Sequence, residues 1–187
     1  MSCNSSWRTD EDSPLSGRRR ALLKGLLTAP LLGLGGQADA DGGPLAGLRR
    51  WGMGEFRRFG MRIYAATLWA GDDPLQPPRA LRLDYQRDIA GRTIAEASVR
   101  EMRRFVDDEN RLRVWGERLG ALLPDVRTGD HLLGVQRGQV ARFYQDSRLL
   151  GGIDAPGFAQ AFFAIWLDPR TRSPQVREGL LRGLAQR

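Results

Sequence analysis

The spacing of apolar residues changes period three times along this chain, and those changes limit what it can fold into. Leu81, Leu83 and Tyr85 alternate with Arg82, Asp84 and Gln86, the period of two that marks a strand with one wet face. Upstream, Met61–Trp69 carries Ile63, Tyr64, Thr67 and Trp69, residue types at home on a pleated surface. Both faces of that stretch are largely apolar, which predicts a central strand. Trp51–Gly60, with glycines flanking a basic and aromatic run, predicts another strand with tight turns. The prolines and aspartates of Gly71–Arg79 make a loop. The period then changes. Ala95, Val99, Met102 and Val106 fall at i, i+4, i+7 and i+11, an amphipathic helix over Thr93–Phe105. Leu112, Trp115, Leu119 and Leu122 predict a second helix. Asp107-Asp108-Glu109 suits its positive N-terminal end, and Pro124 stops it.

Strands return at His131–Gln136 and Val140–Gln145, joined through Arg137-Gly138. After a turn at Asp146-Ser147, Arg148–Ile153 predicts a third short strand. Phe158, Phe162 and Ile165, with Ala161 and Trp166 beside them, predict a helix that is apolar over most of its circumference and the most buried of the set. Asp168-Pro169 ends it. Ser173-Pro174 reads as an N-cap followed by proline at the first helical position, and Val176, Leu180, Leu181 and Leu184 give the last helix its face. Strands, helices, strands, helices in that order predict an α+β fold, an antiparallel β-sheet covered on one face by a layer of α-helices.

The N-terminus carries a different kind of signal. Arg18-Arg19-Arg20-Ala21-Leu22-Leu23-Lys24 resembles the twin-arginine export signal. Residues 25–36 follow, moderately apolar and glycine-rich; twelve helical residues reach about 18 Å, short of a bilayer core of about 30 Å. Ala38-Asp39-Ala40 supplies the small residues a signal peptidase requires. The expectation is a signal peptide over 1–40, a linker over 41–47 and one domain over 48–187. The product would be periplasmic, with no transmembrane segment in its mature form. The only cysteine, Cys3, falls inside the part to be removed. Of 29 basic and 22 acidic residues, five and four precede residue 41, which leaves 24 against 18, and all 24 are arginine. They are scattered among acids in runs of two at most, the pattern of a solvated surface. No nucleic-acid partner is expected.

The domain's chemistry is restricted. It has one histidine, His131, and no cysteine, too few donors for a transition-metal site. It has no glycine-x-serine-x-glycine elbow, phosphate-binding loop or dinucleotide fingerprint, and Gly52-Met53-Gly54 is too little for a phosphate cradle. No metal, cofactor or catalytic residue is expected. What remains is a group of arginines and tyrosines in the strand segments: Arg57, Arg58, Arg62, Tyr64, Tyr85 and Arg87. An arginine on a sheet-lined cavity would offer a carboxylate its planar fork of donors, and a tyrosine hydroxyl would add an oriented donor on an apolar wall. The same residues could equally edge the sheet, their stems covering apolar surface.

Several segments in series resemble the chalcone isomerase-like family: Gly52-x-Gly54-x-x-Arg57 with Ile63–Trp69, then Leu81-x-Leu83-x-Tyr85-x-Arg87-Asp88-Ile89. Pro124-Asp125-Val126-x-x-Gly129-Asp130, Leu150-Gly151-Gly152-Ile153, Phe158–Leu167 and Leu180-Leu181-x-Gly183 continue the series. The resemblance covers about residues 48–184 and implies an open-faced sandwich with a ligand cleft between sheet and helices. Plant members of the family close a chalcone into a flavanone with an arginine, a threonine, a tyrosine and an asparagine. Arg57 matches the arginine, with Arg58 its rival one residue away. Tyr64 takes the threonine's place, and Ala90 and Ala97 stand where the tyrosine and asparagine would be. Non-catalytic relatives hold a fatty-acid carboxylate with an arginine and a tyrosine, a pair that Arg57 and Tyr64 resemble. The implied function is an exported, non-catalytic protein binding a small apolar or amphipathic ligand such as a fatty acid, with Arg57, Tyr64 and Tyr85 at the ligand. Two alternatives stay open: an isomerase or intramolecular lyase on a chalcone-like substrate, and a structural or assembly partner with no small-molecule site.

Overall fold

The computed structural model describes residues 42–184; the expected signal peptide lies outside the described residues. Six strands form one antiparallel sheet in sequence order: β1 (Arg49–Arg58), β2 (Met61–Ala70), β3 (Arg79–Tyr85), β4 (His131–Arg137), β5 (Val140–Gln145) and β6 (Arg148–Ile153). Between β3 and β4 the chain leaves the sheet to make α1 (Gly91–Met102) and α2 (Glu109–Leu122). After β6 it makes α3 (Phe158–Leu167), α4 (Pro174–Leu180) and a single 3-10 turn (Arg182–Leu184). This is the expected α+β architecture, an open antiparallel sheet with its helices over one face.

Period two sorts the sheet into two faces. Tyr64, Ala66, Leu68, Leu81, Leu83, Tyr85, Leu132 and Phe143 point at the helices and join their apolar faces in the main core. α3 has eight of its ten residues buried, Phe158 and Phe163 completely. Each such phenylalanine contributes about 1.5–3 kcal/mol, so α3 anchors the helical layer. On the opposite face a smaller cluster of Ala80, Leu133 and Val135 is joined by Trp69 and Tyr144. Leu45, inside the stretch expected as a linker, and Leu48 also pack on it. Arg137 ties that segment down by donating from Nη2 to the Ala46 carbonyl at 2.8 Å.

Local chemistry explains most boundaries. Asp108 caps α2, its Oδ1 accepting from the Arg111 amide at 2.9 Å. α1 starts at Gly91, two residues before the expected start, and its N-cap residue Ala90 has no side chain that can cap. Asp125 supplies the missing acceptor from 34 residues away, taking the Gly91 amide at 2.8 Å, so one of the orphan donors of a helix end is satisfied by a tertiary contact. Ser173 holds the N-cap position of α4, but its side chain makes no cap bond. Its amide instead donates to Thr171 Oγ1 at 3.2 Å. The last helix is shorter than expected: it ends at Leu180, and Leu184 lies in the 3-10 turn.

The glycines of β1 have a packing role. A Cβ at Gly54 would lie 2.7 Å from the Val176 carbonyl oxygen and 2.8 Å from its Cα. One at Gly52 would collide with the Gly179 and Leu180 carbonyls, and one at Gly183 would come within 2.9 Å of the Trp51 carbonyl. Backbone meets backbone here, which only glycine permits.

Candidate functional site

A cavity of about 490 Å³ opens between the sheet and the helices, within the range of about 300–1,000 Å³ usual for small-molecule sites. Its floor is Leu81, Leu83, Leu132 and Phe143 from the sheet, and its roof includes Ile94 and Ala97 of α1 with Phe162 and Ile165 of α3. Four charged side chains line it: Arg58, Arg100, Glu101 and Arg172. Arg172 Nε lies 3.7 Å from Glu101 Oε2. Arg58 and Arg100 have no ion-pair partner among the described residues. The lining thus has a surplus of positive charge around an apolar interior.

Two of the three expected ligand-binding residues, Tyr64 and Tyr85, come together on the cavity wall with ring centroids 6.0 Å apart. Phe56 stacks on Tyr64 at 5.0 Å. The Tyr64 hydroxyl accepts from Trp166 Nε1 at 3.0 Å, which leaves its own hydrogen for another acceptor. Burial pushes the Tyr64 phenol up from its ordinary 10.0 to about 12, against the smaller opposing effect of the Trp166 hydrogen bond. Burial, reinforced by Tyr64, pushes Tyr85 up further. Both phenols are neutral donors at neutral pH.

Arg57, the third expected residue, does not line the cavity. The alternation of β1 is the reason. Phe56 and Arg58 face the helices, whereas Glu55 and Arg57 face outward, Arg57 Nη2 lying 3.0 Å from Glu55 Oε2. The structure gives the inward place to the rival, Arg58. Arg62 joins the outward group at 3.2 Å from Glu55, Arg87 is exposed, and Tyr144 belongs to the outer cluster. A β-bulge completes the wall. Pairing steps from Phe56–Tyr64 to Arg57–Arg62, so Ile63 is an extra residue, and both Ile63 and Tyr64 reach the cavity.

Sequence reasoning missed Arg100, Glu101, Trp166 and Arg172 as cavity residues. Arg100 and Glu101 lie off the apolar spacing of the first helix, and Trp166 lies among the apolar residues of α3. Only the tertiary arrangement turns them toward one space. Ala97 does line the cavity, and its methyl group offers no hydrogen bond. Ala90 sits at the helix N-cap. The outer His131 lies 3.4 Å from Asp146, away from this lining. Among the described residues no group of three or more His, Cys, Asp or Glu is placed to hold a metal ion, and no helix is long and apolar enough to cross a membrane.

Fold and site together define an open-faced sheet-and-helix sandwich enclosing an apolar cavity with a basic, phenolic lining. No family model and no curated protein sequence matches the chain. Among solved structures, a fatty-acid binding protein of Arabidopsis thaliana is similar in fold, with a TM-score of 0.61 at 13% sequence identity. The match covers 75% of this chain and 90% of that one.

Proposed function

We propose that this domain is a non-catalytic binding protein for an amphiphile with an acyl chain and an anionic head, a fatty acid being the simplest case. The carrying observation is the cavity: walls that are mostly apolar, with Arg58, Arg100, Arg172, Tyr64 and Tyr85 among its polar groups. A carboxylate beside Arg58 would receive charge-assisted hydrogen bonds, each contributing about 1.5–3 kcal/mol. The two neutral phenols add donors, and burial of the chain contributes about 0.8 kcal/mol per methylene. The name of the Arabidopsis neighbour supports the ligand class, and the ordered segments of residues 48–184 support membership of the chalcone isomerase-like family. The twin-arginine-like segment supports export to the periplasm. Ala97 at the cavity wall supports the non-catalytic reading, because the polar group used for ring closure has no counterpart there.

Native mass spectrometry and solvent extraction of the purified chain test this. The expected result is a co-purifying acyl compound, or uptake of labelled fatty acid by stripped protein. Protein that is empty and takes up none contradicts the proposal.

A further inference from the structure

The hairpin joining β1 and β2 is built in an unusual way. Its two-residue turn is Phe59-Gly60, closed by the pairing of Arg58 with Met61. Both turn residues have positive φ, 50° at Phe59 and 77° at Gly60, as in a type I′ turn. Asparagine or aspartate is favoured at the first of those positions, and a bulky residue there is a conformational outlier. Phe59 nonetheless occupies it with 86% of its surface exposed, the most exposed large apolar side chain among the described residues, and Met61 beside it is 45% exposed. Packing does not explain this choice: Phe59 belongs to neither core cluster, and its one ring contact is the Arg58 guanidinium at 5.2 Å.

The flanks of the tip are basic. Within four residues of it lie three arginines, Arg57, Arg58 and Arg62, and one acid, Glu55. Glu55 is shared by Arg57 and Arg62, so its single charge leaves the group positive. A convex apolar tip ringed by cations matches the interface of a bilayer carrying anionic lipids. The aromatic ring enters the headgroup boundary, and arginine stems lie along it with their guanidinium groups at the phosphates. We infer that the Phe59-Gly60 hairpin tip docks this protein on anionic membrane surfaces. Arg58 belongs to both the hairpin and the cavity lining, so docking brings the cavity to the lipid surface. The docking itself does not depend on what the cavity holds.

Co-sedimentation of the full chain with phosphatidylglycerol–phosphatidylcholine vesicles, against pure phosphatidylcholine, tests this. Phe59→Asn is the key variant: Asn-Gly is the preferred pair for this turn, so the fold keeps or raises its unfolding temperature while the ring is lost. The expected results are preference for the anionic vesicles, a loss of about tenfold or more in partitioning for Phe59→Asn, and about fivefold for Arg62→Gln. Fatty-acid uptake in solution by Phe59→Asn should stay unchanged, which separates this inference from the function of the cavity. Equal binding by wild type and Phe59→Asn, or indifference to anionic lipid, overturns it. So does a change of oligomeric state in Phe59→Asn with vesicle binding intact, which would make the tip a contact between copies.

Discussion

The layer between sheet and helices is filled in one region and hollow in another. Where α4 and the 3-10 turn after it cross β1, Gly52, Gly54, Gly179 and Gly183 remove side chains from both surfaces, and the backbones touch. Under α1 and α3, strands and helices present full-sized side chains, Phe143, Phe162, Tyr64 and Tyr85 among them, and these hold the two layers apart around about 490 Å³. Both regions use the same sheet and mostly apolar residues. What differs is side-chain volume at the contact. Close contact between α4 and β1, and spacing by larger side chains beneath α1 and α3, leave a cavity that the fold does not close.

The largest expected effect lies on the filled side. Gly54→Ala puts a methyl group within 2.8 Å of the α4 backbone, which cannot retreat without unseating the helix. A loss of about 3 kcal/mol is expected, read as a fall of about 6–12 °C in unfolding temperature. If the variant melts like the wild type, the glycine contact is not what joins α4 to β1. On the hollow side the contrasting change is Ala97→Leu. It adds three carbons to the cavity wall, so stability should stay within about 1.5 kcal/mol, while fatty-acid affinity falls about tenfold or more. A variant that binds normally would place the ligand elsewhere.

A smaller, pH-dependent effect sharpens the comparison further. Tyr64 and Tyr85 ionise less readily folded than unfolded. Their contribution to stability is therefore complete below about pH 10 and is lost as pH rises from 10 toward 12, where the unfolded chain releases protons that the folded one retains. Thermal unfolding should drop by a few degrees across that range, and Tyr64→Phe should flatten part of the drop. A curve that is level to pH 12 would mean that the phenols are not desolvated by the cavity wall.

Much of the fold was legible because the sequence repeats its period locally: all six strands and four helices lie close to where alternation and helical spacing predict them. Tyr85 was legible on the apolar face of an alternating strand, whereas Tyr64 lies in a stretch apolar on both faces and its place at the ligand was pointed to only by the family resemblance. Other features depend on contacts that no local pattern encodes. A one-residue slip flips a strand's faces, so Arg57 and Arg58 could be separated only by seeing Glu55 and Arg57 together on the outer face. The bulge at Ile63 breaks alternation without a sequence mark. The Tyr64–Trp166 hydrogen bond spans 102 residues. Gly52-x-Gly54 was visible as a motif, but its meaning depended on Gly179 and Gly183 arriving from the far end of the chain.

The account turns on which arginine meets the ligand. Titration of stripped protein with a fluorescent fatty acid, comparing Arg58→Ala with Arg57→Ala, tests it most directly. The account predicts a loss of about tenfold or more for Arg58→Ala, because one charge-assisted contact contributes about 1.5–3 kcal/mol and about 1.4 kcal/mol is tenfold, and wild-type affinity for Arg57→Ala. A loss confined to Arg57→Ala, or no loss in either variant, would contradict it.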